Sequence, residues 1–484
     1  MGSPPPAAVP SSGLRQLDDS RVTGFQLRIL FVAGMGFFTD AYDLFVIGIV
    51  VALLKPEWGL TTVETSLLNS ATLLASAFGA IVFGRIADIL GRKRIYGYEV
   101  LVLAFGAIVS ALAPNVWVLV IARIILGIGI GGDYPVSATI MSEYSARQSR
   151  GRMVGLVFAM QGAGLVVGPL VASLLLLTGL SHGLIWRVLL ILGAIPGLAV
   201  FYLRRQIRET PRFAAAAGAE EEAAASIAAA TGGERKALTA ESAARNRRSA
   251  LEGYVKLFTN RRILRWLIGT AICWLCFDVA YYGNSISSPE VLKALDPAAS
   301  LIQNTLLQLL VFAIFALPGY ALAILFLDKI GRRTIQLFGF FLMALAFLAI
   351  GLIGGVTASA APFVIVFGIS YLFSEFGPNT TTFIYPAEIF PVDVRTTAHG
   401  ISAAAGKVGG FMGAAIFPFM LANAGLGLRG AEIVAGVVSV VGLIVTAVCL
   451  PEPKGKSLED LTVLAEGPGK VPSSPTPTMR PGEA

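Results

Sequence analysis

The side chains of this chain that could do chemistry are the charged and hydrogen-bonding groups set inside apolar segments. Asp133 lies in the run Gly131–Glu143 (GGDYPVSATIMSE), which closes an apolar segment beginning near Val116. That segment is long enough to cross a bilayer, which takes roughly 20 apolar residues. An ionised aspartate at membrane depth costs ~2.5–3.5 kcal/mol on insertion scales, so Asp133 is a functional-site candidate. Trp274, Asp278 and Tyr282 stand at i, i+4 and i+8 of another apolar segment. This spacing puts an indole donor, a carboxylate and a phenol on one helical face. Asp40 and Asp43 are three apart and roughly share a face of the first segment. Gln161 lies mid-segment, with Gly164 and Gly168 nearby at small-residue spacing. Asn379 follows Gly377-Pro378, where proline breaks the regular hydrogen bonding. Unwound backbone at that depth is tolerated where it lines a cavity. Lys407 is the intramembrane cation of the second half. The sequence offers no nucleophile–base constellation and no metal-ligand set, so an enzyme is the least favoured class and no cofactor is expected beyond a coupling proton.

The elements that must hold these groups are apolar helices. Hydrophobic residues make up 55% of the 484 and charged residues 14%, against about 25% charged in soluble domains. Most of the chain is therefore dissolved in lipid. Twelve apolar spans can be counted, at about 27–54, 64–90, 97–114, 116–142, 152–179, 185–204, 263–285, 300–328, 334–354, 358–386, 396–423 and 430–450. Three cysteines exclude a disulfide framework. Cys273 and Cys276 lie one turn apart in an apolar helix without a second pair and are not read as a metal or redox site. The glycines of Gly127–Gly132 lack the strand and acidic residue of a dinucleotide site and are better explained by close helix packing. The first 20 residues have no apolar core segment, so no cleavable signal peptide is expected. Residues 1–24 and 452–484 read as cytosolic tails, the first disordered and the second Pro-rich after Gly467. Residues 207–262 are Ala/Glu-rich, then basic at Arg235, Lys236, Arg245, Arg247 and Arg248; they read as a cytosolic linker whose composition favours helix. The net charge of +7 is spread over short loops and this linker, which is no nucleic-acid signal.

Basic clusters follow the even-numbered spans: Arg92-Lys93-Arg94, Arg147/Arg150/Arg152, Arg204/Arg205/Arg208, Lys329/Arg332/Arg333, Arg395 and Lys454/Lys456. The opposite loops hold few lysines or arginines, which places the even-numbered ends and both termini in the cytosol. The two halves also repeat. Asp88-Ile-Leu-Gly-Arg-Lys returns as Asp328-Lys-Ile-Gly-Arg-Arg, 240 residues later, and the Glu143/Arg150 spacing returns as Glu388/Arg395, 245 residues later. Glu209-Thr-Pro-Arg loosely matches Glu452-Pro-Lys. The expected fold is an all-α membrane protein: twelve transmembrane helices in two pseudo-symmetric six-helix bundles, 25–206 and 263–451.

Gly84-Arg-Ile-Ala-Asp88-Ile-Leu-Gly-Arg92 looks like the loop motif between the second and third helices of the major facilitator superfamily, with Ile324 standing where the second copy would have its glycine. Gly84 permits close helix approach, and Asp88 can pair with a basic residue or a helix N-terminus across the cytosolic face. The expected gating set is Asp88, Arg92, Glu143, Arg150, Asp328, Arg332, Glu388 and Arg395, with Glu143/Arg150 and Glu388/Arg395 as candidate charge pairs that break on opening. GFFTDAYDLF (36–45), GGDYPVSATIMSE, Gln161, WLCFDVAYYG (274–283), FGPNTTTF (376–383) and HGISAAAGKVG (399–409) resemble their counterparts in the phosphate:proton symporter family of that superfamily, a likeness running from about 25 to 460. The resemblance implies phosphate held between the halves by Tyr134, Gln161, Trp274, Asp278, Tyr282 and Asn379. It implies proton-handling carboxylates at Asp40 and Asp133, with Asp43 close by and Lys407 as a candidate charge partner. Glu375 departs from the family, where asparagine is expected. Three roles are open for it: a further protonatable group, a partner for Lys407, or a polar helix contact away from the pore.

The chemistry of the residues agrees with that resemblance. Phosphate both accepts and donates hydrogen bonds, and Tyr, Trp, Gln and Asn are neutral donors that need little charge desolvation. Ionised Asp278 would repel an anion; protonated, it can donate to a phosphate oxygen, so binding and protonation are linked. The expected function is import of inorganic phosphate with protons by alternating access, with arsenate as a competitor, across a plasma or bacterial inner membrane. The alternatives are a proton-coupled symporter of the same superfamily for a sugar or an organic acid, and a phosphate receptor with little flux. Arg123 is the exception to a pore otherwise poor in arginine, which counts against a large organic anion.

Overall fold

The computed structural model describes residues 12–233 and 248–466. Twelve of its helices are long and apolar enough to cross a membrane. Spans 1 to 6 are Gly24–Trp58, Thr62–Leu90, Arg92–Ala111, Val116–Tyr144, Arg150–Leu177 and His182–Arg205. Spans 7 to 12 are Arg261–Ile286, Leu301–Ile330, Arg332–Leu352, Ala360–Ile389, Arg395–Ala422 and Gly427–Cys449. The ends follow local chemistry. Span 1 stops at Gly59, whose φ of +64° is open to a residue without Cβ. Two residues on, Thr61 and Glu64 form a reciprocal capping box that starts span 2. Spans 8 and 10 are interrupted by π-helical turns, Phe312–Ala316 and Glu375–Asn379, the second with non-helical backbone at Gly377 before Pro378.

The halves meet along two equivalent seams, span 2 against span 11 and span 5 against span 8. Close approach comes from small residues. A Cβ at Gly84 would strike the Thr396 carbonyl and Gly400 of span 11. Within the first half, Cβ atoms at Gly127 and Gly131 would strike the Thr72 and Ser76 carbonyls of span 2, so the glycine run of span 4 is packing surface. Large apolar side chains such as Phe105, Tyr202, Phe341 and Ile444 point outward from spans 3, 6, 9 and 12, the inverted distribution expected of a lipid-facing surface.

The regions outside the spans hold more structure than the sequence suggests. Residues 1–11, 234–247 and 467–484 lie outside the described residues, and with them most of the basic linker run. Within the described part, the segment read as a disordered tail contains the helix Ser12–Asp18. The linker forms helices Pro211–Ala216, Glu220–Thr231 and Arg248–Thr259, and the C-terminal segment forms Leu458–Glu466. Three of them, Ser12–Asp18, Pro211–Ala216 and Leu458–Glu466, meet at Arg212, which donates to Asp18 at 2.8 Å and Glu459 at 2.9 Å. Arg150 also donates to Asp18, at 3.1 Å. Burial by itself would raise the Glu459 carboxyl. The charge and hydrogen bond of Arg212, a backbone amide and the charge of Arg150 together hold it down, from an ordinary 4.5 to about 2. A carboxyl depressed on folding contributes stability that is complete above its unfolded value and is lost as pH falls through the folded one. The hydrogen-exchange protection of residues 458–466, measured relative to the intrinsic rate at each pH, is therefore expected to be high at neutral pH and to fall on acidification from about 4.5 toward 2. Glu459→Gln is expected to exchange fast already at neutral pH.

Candidate functional site

Lys407 of span 11 is the hub of the interface between the halves. It is buried, and its Nζ donates to the hydroxyls of Tyr134 (span 4) at 3.2 Å and Tyr282 (span 7) at 2.8 Å. It lies 3.5 Å from an Asp278 carboxylate oxygen. Both phenol rings also face the ammonium, with centroids 4.3 and 4.6 Å away, within cation–π range. Trp274 completes the face one turn from Asp278, its ring 6.1 Å from that of Tyr134. Gly406 and Gly410 let span 11 lie directly on the Trp274 and Tyr282 rings, where any Cβ would collide. The i, i+4, i+8 set of span 7 thus faces one cation, and the partner of Lys407 is Asp278.

Span 10 supplies a second cluster beside the first. The π-turn turns Glu375 and Asn379 toward each other, and Asn379 Nδ2 donates to the Glu375 carboxylate and to Tyr320 Oη, the latter at 2.9 Å. Tyr281 donates to Glu375 at 2.7 Å. Glu375 is therefore not paired with Lys407; its partners are a phenol and an amide, and it lies inside the bundle. Tyr281 is adjacent in sequence to Tyr282, so the two clusters share a helix. Gln161 is buried with its carbonyl oxygen unpartnered among the described residues. It lies one turn from Phe158, whose ring packs against Tyr134, Tyr320 and Phe383.

The carboxylates of the first half have separate surroundings. Arg204 of span 6 grips Asp133 through two hydrogen bonds of 2.9 and 2.8 Å and reaches Glu99 of span 3 at 2.7 Å. Gly36, in the Gly-Phe-Phe-Thr-Asp run, leaves the room for this pair, since a Cβ there would overlap both groups. Asp40 borders the same small gap as Asp133 and Glu99, and neither of its oxygens has a hydrogen-bond partner among the described residues. Asp43 lies one turn further on. Its carbonyl accepts from Arg123 at 2.7 Å, and its carboxylate abuts Gly193 of span 6.

All eight residues expected to gate fall in one belt at the end of the bundle where the basic residues cluster; Asp88 meets both Arg92 and a helix N-terminus, while Glu143 and Glu388 take partners other than those expected. Glu143 pairs with Arg395 of the other half at 3.0 Å and with Arg92 at 3.4 Å, not with Arg150. Glu388 takes two hydrogen bonds from Arg332, at 2.9 and 2.8 Å, not from Arg395. Asp88 accepts from the backbone amide of Thr397 at 2.6 Å, and Asp328 from that of Arg152 at 2.9 Å. Each half thus offers an aspartate to the positive N-terminus of a helix in the other. At the opposite end a cleft of about 620 Å³ separates span 1 from the second half, lined by Lys55, Glu290, Lys293 and Asn304 among others.

Residues 29–465 match the family described as sugar (and other) transporter. The chain belongs to that family. It is a membrane-embedded transporter, not an enzyme. Among its relatives, the probable inorganic phosphate transporter 1-2 of Arabidopsis thaliana is 34% identical over 512 residues, covering 94% of this chain and 97% of that one. The low affinity inorganic phosphate transporter 3 of Petunia hybrida is 34% identical over 519 residues, covering 94% and 95%. Among solved structures, the proton:xylose symporter XylE bound to 6-bromo-6-deoxy-D-glucose superposes with a TM-score of 0.79 at 23% identity, covering 92% of this chain and all of that one. That likeness establishes the twelve-helix fold.

Several groups of this transporter's site escape a reading of spans and motifs. Arg204 sits in a basic run after an apolar segment and reads as a loop anchor, yet it is fully buried. Glu99 carried a usable signal, a carboxylate within an apolar span. Tyr281 and Tyr320 carried none, since a tyrosine in a membrane helix is ordinary until its partner is known.

Proposed function

We propose that this transporter imports inorganic phosphate together with protons by alternating access. The observation that carries the reading is Lys407, the single buried lysine among the described residues, held between two phenols, one from each half, and a carboxylate. Phosphate entering there can replace Asp278 as the counter-ion of Lys407. Asp278 then takes up a proton and donates it in a hydrogen bond to a phosphate oxygen, while Tyr134, Tyr282, Trp274, Gln161 and Asn379 supply neutral contacts. Binding of the anion and of the proton are thus one coupled event. Asp40, without a hydrogen-bond partner among the described residues, and Asp133 with Asp43 are the proton-handling groups of the first half, and Glu375 belongs to the second. The names of the relatives support phosphate rather than sugar, and the basic belt supports cytosolic termini in a plasma or bacterial inner membrane. Labelled phosphate is expected to bind the purified protein saturably, displaced by arsenate and unaffected by glucose. Displacement by glucose would favour a sugar carrier.

The ion-pair belt would hold the cytosolic side closed. Glu143→Gln removes the carboxylate shared by Arg395 and Arg92 and is expected to shift the population toward an inward-open state. Coupling energies of about 1–3 kcal/mol correspond to roughly 5–150-fold in population. Spin-label distances between the cytosolic ends of spans 4 and 10 would report it, and an unchanged distribution would remove Glu143 from the gate.

A further inference from the structure

Span 12 contains one carboxylate, Glu432, five residues beyond its start at the end opposite the ion-pair belt. It is fully buried. Its Oε2 accepts from Asn284 Nδ2 at 3.4 Å, and its Oε1 has no partner among the described residues. The cations nearby are committed elsewhere. Arg429, one turn away, donates to the Gly351 and Leu352 carbonyls at 2.9 and 3.1 Å. On the helix Ser288–Leu295, packed against span 12, Glu290 pairs with Lys55 at 3.6 Å and Lys293 donates to the Ala299 carbonyl at 2.9 Å. Span 9 carries its arginines at the far end, the Arg332 side chain on Glu388 and the Arg333 side chain on the Ala447 carbonyl. On span 11, Lys407 is held by Asp278 and His399 lies against the Phe383 carbonyl.

Polar groups of spans 7 and 10 lie between Glu432 and the site, in separate hydrogen-bonded steps. Tyr371 of span 10 donates through its hydroxyl to Ser285 at 2.9 Å, and Ser285 is the chain neighbour of Asn284, which contacts Glu432. The Tyr371 and Tyr281 rings are 5.9 Å apart, and Tyr281 donates to Glu375, which accepts from Asn379. Hydroxyls both donate and accept, so they can pass a proton between carboxyl groups. A buried carboxylate with no cation beside it is costly in a membrane helix, and a bound proton removes that charge.

We infer that Glu432 is a proton-binding site of the second half, in relay through Tyr371 and Tyr281 with Glu375. A proton leaves the Glu432 carboxyl, passes along the hydroxyls and arrives on the Glu375 carboxylate. Glu432 is then reprotonated from water at the end facing the cleft. The proposal rests on the symport reading and adds a route independent of Asp40 and Asp133.

The test is the steady accumulation of labelled phosphate in proteoliposomes at an imposed pH difference of one unit. One coupled proton is then worth a factor of about ten in the concentration ratio. Glu432→Gln is expected to lower that ratio about tenfold, with phosphate exchange at equal pH reporting that the site is folded. An unreduced ratio would overturn the proposal. No gradient-driven accumulation in the unsubstituted protein would overturn the symport reading itself, and the proposal with it. Should Glu432→Gln not fold, the unsubstituted protein in membranes can be treated with dicyclohexylcarbodiimide, which modifies protonated carboxyls in apolar surroundings. Modification of Glu432 that fades as pH is raised supports the assignment, and an unmodified Glu432 at every pH contradicts it.

Discussion

Asp278→Asn is expected to leave phosphate uptake insensitive to a proton gradient and to weaken phosphate binding by roughly ten- to a hundredfold. The structure holds Asp278 3.5 Å from Lys407, with no other cation on it among the described residues. An amide keeps the shape but can neither neutralise the lysine nor exchange a proton. Hydrogen bonds to charged groups contribute about 1.5–3 kcal/mol, which sets the binding loss. The loss of coupling is separate, because the group whose protonation is linked to the anion has been removed. Uptake with and without a gradient, measured beside equilibrium binding, separates the two. A variant that still accumulates phosphate against its gradient would mean that Asp278 does not couple the proton.

Arg204→Met is expected to be among the most destabilising single changes in the protein. Arg204 satisfies Asp133 and Glu99 at once, and all three are buried. Removing one partner of a buried ion pair costs about 3–5 kcal/mol, because the remaining charge is left without compensation. Here two carboxylates are left. Arg204→Lys is expected to recover only part, since an ammonium cannot make the two parallel bonds to Asp133. Adding Asp133→Asn and Glu99→Gln to Arg204→Met is expected to restore much of the heat resistance, measured as the fraction remaining monodisperse after a heating step, while transport stays lost. Equal heat resistance of Arg204→Met and the unsubstituted protein would show that the triad is not structural.

The fold was legible because lipid imposes a coarse rule. Apolar length gives spans, and a repeated Asp-x-x-Gly-Arg loop gives two halves. The positions of Asp133, Asp278 and Lys407 were legible for the same reason, since a charge in an apolar span stands out. Pairing was not legible. Glu143 could have chosen Arg150, seven residues on, or Arg395 in the other half, and only the packing of span 4 against span 11 decides between them. Arg204 was hidden by its company, as a basic residue at the end of a span satisfies the positive-inside rule whether it points to water or to Asp133. Helix Ser12–Asp18 could not be foreseen because its anchor, Asp18, gains meaning only from Arg150 and Arg212, brought together by tertiary structure.

The most direct measurement is uptake of labelled phosphate by the purified protein in proteoliposomes, with and without an inward proton gradient and with glucose as a parallel substrate. Proton-coupled phosphate symport requires accumulation above the external concentration, abolished by a protonophore, and no gradient-driven glucose uptake. Saturable phosphate binding without accumulation, or gradient-driven flux of glucose in place of phosphate, would contradict it.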